Sequence, residues 1–342
     1  MELSKAQLRL ILFVCALPAA CWAQRRSGQP LDHLPRQIEI LTHFGERADI
    51  SPDNRHIAFM DKSFGDAFTI DLASRVIRCL TCNVPGAAFL RIMHLSSGDY
   101  LLIGPPSFQD IHTSRTRNNQ LWFLSKAPGS KPQQLGVKMS EGAAVSKREL
   151  KIAYSVTAAQ DSSLAPGESS LYVADVRIDH AGAEIINREK VYRSPDKNCT
   201  IEAQDFFDRD SKMTFTCYEP NNLASVMTID LQTRKVENMS KAPGTYNECE
   251  GIYPDGLYTN VEADRQVAQL GGDHGSRNID IWKLRLDGTG KNFERLTYFN
   301  DYEGFKASNP VVSADGRFMA FQIAQTKDEA GVGYGILLYH FQ

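Results

Sequence analysis

The sequence predicts an all-β fold, a six-bladed β-propeller of four-stranded antiparallel blades closed by an N-terminal strand that completes the last blade. Three observations predict it. A turn-centred pattern recurs six times, as "SPDNRHIAF" (51–59), "LSSGDYLLI" (95–103), "VSKRELKIAY" (145–154), "FFDRDSKMTF" (206–215), "IYPDGLYTNV" (252–261) and "SADGRFMAF" (313–321). The copies are spaced by roughly 40–60 residues, a period that marks a repeat architecture. Between copies lies a second family of turns, "IDLASR" (70–75), "IDLQTR" (229–234) and "RLDGTG" (285–290). Finally, "QIEILTHF" (37–44) resembles the fourth-strand stretch "FERLTYF" (293–299), whereas the last copy stops at a third strand, "GILLYHF" (335–341).

Taken from the N-terminus, the first element is a targeting segment. Lys5 and Arg9 give a positive start, Leu10 to Ala20 an apolar run, and Cys21 and Ala23 small residues ahead of Gln24. This is the pattern of a cleaved signal over 1–23; the other reading is a lipid anchor on Cys21. The apolar run is shorter than the roughly 18 residues a span needs. Residues 24–36 read as a linker and 37–342 as one propeller domain. Within each copy an apolar strand runs into Asp-Gly or a substitute, the chemistry of a tight hairpin, and a second apolar strand follows. A third strand ends at the second turn family, and a fourth, such as "KVENMS", closes the unit. Four short strands repeated radially make a propeller. The 37–44 strand then pairs with the chain's last strand, leaving no open edge in the ring.

"SPDNRHIAF" and "SADGRFMAF", followed by "DL" or "LDG" turns and an "LT" strand, resemble the TolB-like, WD40-like PD40 repeats. The resemblance covers most of 37–342. It implies a propeller and one of several roles: a periplasmic binding or scaffold protein, a peptidase cap, or a carbohydrate-active enzyme. The WD dipeptide of WD40 proteins is absent, and so is a histidine set like that of the oligogalacturonate lyases in this group.

Composition narrows the classes. The 342 residues carry a formal charge of −3 and are 42% hydrophobic, ordinary for a globular chain. A nucleic-acid partner is not expected without a basic face. Neither HExxH nor G-x-S-x-G occurs, which disfavours a zinc protease or an α/β-hydrolase. "GTGK" (288–291) lacks the spacing of a phosphate loop and reads as a hairpin. Seven cysteines suit an oxidising destination; five lie beyond residue 23, an odd number. "CLTC" (79–82) reads as a local disulfide or two free thiols, since no second CxxC completes a zinc set. Cys217 can pair with Cys249 of the next blade or Cys199 of its own.

The loops joining second to third strands, and each blade to the next, share one face, and the long polar loops all fall there. Long loops on a rigid scaffold are where binding and catalysis concentrate. Blade five is richest: Glu248 and Glu250 alternate on one strand, Glu262 and Asp264 on the next, with Arg265, His274 and Arg277 following. Candidate catalytic residues are Glu250, Glu262, Asp264 and His274, as paired carboxylates or a carboxylate and an imidazole for acid–base work. Candidate ligand-binding residues are Glu46, Arg47, Arg265, Arg277, Tyr302, Glu303, Lys306 and Asn309, with guanidinium groups offering paired hydrogen bonds. These charges can instead pair off and tie blades together. No cofactor or metal is expected. The expectation is an exported, periplasmic or extracellular monomer that binds a partner protein or a glycan through its funnel face. The alternative is a carbohydrate-active hydrolase or lyase working across blades five, six and one.

Overall fold

The computed structural model describes residues 24–195, 197–328 and 330–341. The expected signal segment, 1–23, lies outside the described residues. Six four-stranded antiparallel sheets form the molecule. The innermost strands, in blade order, are Glu46–Ile50, Arg91–His94, Ala143–Val145, Thr200–Phe207, Asn247–Ile252 and Phe305–Val312. The sixth sheet takes its fourth strand from the N-terminus: Ile38 pairs with Tyr339, Glu39 with Leu338 and Ile40 with Leu337. Residues 24–36 pack against this blade. Pro30–His33 form a short 3-10 turn, and Leu31 and Leu34 join Ile38, Met319, Phe321 and Leu337 in one cluster.

The repeated turn has one chemical core. In "SPDNR" the Ser51 hydroxyl accepts the backbone N–H of Arg55 and His56 and donates to Asp53 at 2.6 Å. In "SADGR" the Ser313 hydroxyl accepts from Arg317 and Phe318 and donates to Asp315 at 2.7 Å. Asn54 and Gly316 both have positive φ (59° and 69°), the conformation Gly and Asn tolerate best. The third copy has no Asp within its turn. There Ser146 accepts from Arg148 and Glu149 and donates at 2.6 Å to Asp210, which belongs to the blade-four turn. A neighbouring blade supplies what the local sequence lacks, which is why this copy reads as degraded.

Apolar side chains on the inner three strands pack between adjacent blades, with Phe59, Leu101, Tyr154, Phe215, Val261 and Phe321 all fully buried. Trp122 and Trp282, both on third strands, hydrogen-bond Gly104 O and Gln266 Oε1 and serve blade packing. Cys79 pairs with Cys82 and Cys199 with Cys217, leaving Cys249 as a buried thiol. Among the described residues no helix is long and apolar enough to cross a membrane.

Blades five and six approach closely at Gly251. A Cβ there would stand 2.7 Å from Val312 N and 2.9 Å from Val311 Cα. Backbone cannot swing aside as a side chain does, so Gly251→Ala is expected to destabilise by about 2–3 kcal/mol. Urea unfolding reads this directly, and an unchanged midpoint would contradict the close approach.

Candidate functional site

All six inner strands carry a charged side chain at or near the point where they enter the ring. Glu46 and Arg47 come from blade one, Arg91 from blade two, Glu141 from the loop into blade three, and Glu202 from blade four. Glu248 and Glu250 come from blade five and Lys306 from blade six. These groups sit on or beside the strands nearest the axis, and they face the central space. The result is a concave, polar cavity of about 710 Å³. Glu46, Glu141, Glu202, Glu248, Glu262 and Asp328 line it together with Arg47, Arg91, Arg115, Arg277 and Lys306. A narrow throat of about 50 Å³ shares Arg47, Arg91 and Asn309 with it and adds Asp49, Lys147, Gln204, Asp205 and Glu250.

The walls are partly self-satisfied. Glu141 Oε1 accepts from Arg47 Nη2 at 2.8 Å and Arg115 Nη2 at 2.7 Å, and its other oxygen accepts from Arg115 Nε. Burial pushes the Glu141 carboxyl up, but Arg115 and then Arg47 outweigh it and hold it at about 2. Glu46 is roofed by the 330–333 loop: Ser63 donates to its Oε1 at 2.6 Å, and a Cβ on Gly331 would overlap its Oε2. Burial raises this carboxyl above its usual range. In the throat, Asp49 accepts from His94 N (2.7 Å) and Lys147 Nζ (2.8 Å), and its Oδ2 meets His94 Nδ1 at 2.8 Å. Lys147 and His94 overcome burial and hold Asp49 ionised well below the ordinary carboxylate range.

Two groups stand apart. Neither the Arg91 guanidinium nor the Glu202 carboxyl makes a hydrogen bond or close ion pair with a described residue, although both line the cavity. Burial, and next the charge on Glu141, lift Glu202 to about 7. Burial opposes the charge on Arg91, but Glu250, Glu202, Glu141 and Glu248 together keep it firmly protonated. Glu248 accepts the hydroxyls of Tyr218 and Tyr246, one on each oxygen. Burial and then Glu262 and Glu202 raise it to about 8. Glu250 is raised well above its usual range, chiefly by burial.

The residues expected from the sequence divide by position. Glu46, Arg47, Arg277, Lys306, Asn309 and Glu262 line the cavity, and Glu250 lines the throat. One carboxylate oxygen each from Glu248, Glu250 and Glu262 lies within 4.8 Å of the others. Asp264 and His274 stand outside the lining. Asp264 is fully buried, and its Oδ2 takes the Gly275 N–H at 2.7 Å and meets His274 Nδ1 at 3.0 Å, anchoring the blade-five loop. Arg265 lies over the Phe293 ring at 3.9 Å, an outer-strand contact. Tyr302 packs beside Arg26 and His33, and Glu303 N–H donates to Arg26 O, so both hold the N-terminal segment.

Arg91, Arg115, Glu141 and Glu202 escaped the sequence reading. Their signal is positional: "FLRIMHL" and "TIEAQDF" place Arg91 and Glu202 between apolar neighbours in an inner strand, at the register of Glu46 in "GERADI". Aligning all six copies on their first strands, rather than on their turns, exposes the ring of charges.

No protein-family profile matches the chain, and neither does any curated protein. Solved structures do. A gluconolactonase from Xanthomonas campestris superposes with a TM-score of 0.55 at 11% identity over 95% of this chain and 97% of that one. A structure assigned as TolB from Agrobacterium tumefaciens gives 0.52 at 14% identity over 80% and 96%. The calcium-binding protein regucalcin from the same organism gives 0.51 at 11% over 88% and 94%. At these identities the likeness shows the fold, and what this chain shares with all three is the propeller.

Proposed function

We propose that this chain is an exported, TolB-like propeller that binds a hydroxylated glycan in its funnel. The observation that carries the reading is the pair Arg91 and Glu202, a donor and an acceptor lining a concave cavity without hydrogen bonds to any described residue. Sugar hydroxyls both donate and accept, so walls that alternate guanidinium and carboxyl suit them. A cavity of about 710 Å³ also falls in the range of small-ligand sites, about 300–1,000 Å³. The near balance of six carboxyls and five cations in the lining favours a neutral or mixed-charge sugar over a strongly anionic one. Export rests on the leader-like residues 1–23 and on a fold shared with TolB.

A second reading, acid–base chemistry on the bound glycan, draws on one observation. Glu202 and Glu141 occupy the same cavity with their proton affinities pushed apart, to about 7 and about 2. Such divergence is how carboxyl pairs divide acid and anion roles.

Titration calorimetry of the 24–342 chain against neutral and uronate oligosaccharides tests the reading. Glu202→Gln is expected to weaken binding at least tenfold. At pH 8 the same variant is expected to raise the melting temperature, because it removes a buried charge. Opposite signs for binding and stability separate a ligand contact from a structural one. Product analysis by mass spectrometry decides between binding and turnover. If no sugar binds while the funnel captures a peptide, the partner is a protein and the proposal fails.

A further inference from the structure

We propose that Glu248, Glu250 and Glu262 form a binding site for a hard divalent cation of the calcium type at the base of the funnel. Three observations carry this. First, one carboxylate oxygen from each converges within 4.8 Å. Two ligands on opposite sides of a calcium-sized ion, each at about 2.4 Å, stand about 4.8 Å apart, so the spacing suits a shared ion, with small side-chain adjustments closing on it. Second, Glu250 is only 5% exposed, and its Oε1 has no hydrogen-bond partner among the described residues. A buried carboxylate oxygen left without a donor is costly, and a cation at the convergence point would supply what it lacks. Third, no positive group donates to these oxygens: Arg91 balances part of their charge from a distance without a close ion pair to a described residue, and Lys306 Nζ donates instead to Ser276 O at 2.9 Å.

The local strand geometry explains why three carboxylates meet. Glu248 and Glu250 are two apart on one inner strand and so share a face. Glu248 pairs across the ladder with Glu262 on the next strand. A register shift between Cys249 and Ile252 turns Glu250 toward the throat. Asn309, whose N–H and Nδ2 donate to Glu262 Oε1, also carries a buried Oδ1 with no partner among the described residues, an amide oxygen beside the cluster. Hard divalent ions take such oxygens, and calcium tolerates irregular sets of six to eight. Magnesium demands a smaller octahedron and prefers to keep its waters, so it fits a set of three protein carboxylates less well.

The site needs no glycan above it, so it is tested with the metal alone. Tyr218 and Tyr246 touch Glu248 and are placed to transfer excitation to a bound lanthanide. Tyrosine-excited terbium luminescence of the 24–342 chain is expected to rise saturably and to be displaced by calcium chloride. Glu250→Gln should abolish the signal, and Glu303→Gln, an exposed carboxylate away from the funnel, should leave it intact. Failure of calcium to bind at millimolar concentration, binding of magnesium in preference to calcium, or luminescence that survives in Glu250→Gln would each overturn the proposal. If Glu250→Gln does not fold, Glu262→Gln and calcium competition on the unaltered chain decide the matter.

Discussion

A chain that begins at Phe44, and so lacks the closing strand, is expected to lose most of its folding free energy and to associate. Ile38 is 7% exposed, and Leu31, Leu34 and Ile40 pack around it against Met319, Phe321 and Leu337. A fully buried aliphatic side chain contributes about 1.5–3 kcal/mol. Allowing for partial burial, the four together contribute roughly 5 kcal/mol. A domain's net stability is only about 5–15 kcal/mol, so the loss takes a large share of it. The truncation also bares Ile336–His340 as an apolar edge strand, a template for another chain. Urea unfolding and size-exclusion chromatography measure both effects. A synthetic peptide spanning 30–43 should restore part of the stability. An unshifted midpoint in the truncated chain would mean that the ring does not depend on its N-terminal strand.

Replacement of Arg91 by Met should destabilise strongly at pH 7.5 and far less at pH 5. Its guanidinium is the shared counter-charge of Glu250, Glu202, Glu141 and Glu248. Removing one partner from a buried charge cluster leaves the others uncompensated, at a cost of about 3–5 kcal/mol. The pH dependence follows from where the protons sit. Glu202 and Glu248 titrate in the native chain at about 7 and about 8, above the ordinary carboxyl value of 4.5. Between those limits the native state holds protons that the unfolded chain has released. Stability is therefore full below about pH 4.5 for these groups and declines as pH rises through 7 to 8, by up to about 1.4 kcal/mol per pH unit for each proton. Without Arg91 these carboxyls should take up protons more readily still, so the variant regains stability on acidification. Melting temperatures from pH 5 to 8.5 in chelator-containing buffer test this. A destabilisation that does not change with pH would remove Arg91 from the cluster's electrostatics.

The fold was legible because its cues are local and redundant. Six copies of one turn, held by Ser51 or Ser313 chemistry, outvote any single degraded copy, and the 37–44 strand matched the one missing position in the ring. The funnel was harder to read because its charged residues converge from all six blades, and no short stretch of sequence carries more than two of them. Glu262, Lys306 and Asn309 were found because they lie in polar stretches. Arg91 and Glu202 were missed because each stands alone among apolar neighbours, where burial rather than clustering gives it meaning. Asp264 and His274 show the reverse: a dense polar loop reads as chemistry, yet the buried carboxylate there is occupied in fixing the loop.

Ring closure also has a kinetic side. Glu39 and His340, whose side chains meet across the closing pair, are 301 positions apart in sequence. Among the described strand ladders every other one joins neighbours in sequence, so the closing ladder alone pairs the two ends of the chain. Its loop-closure entropy must be met before it returns any stability, which makes it the natural last step and a slow one. Until the final strand has been made, the first waits unpaired and the chain cannot lock. A circular permutant that moves residues 37–43 behind the C-terminus would turn the closing pair into a hairpin. It should fold faster at similar equilibrium stability.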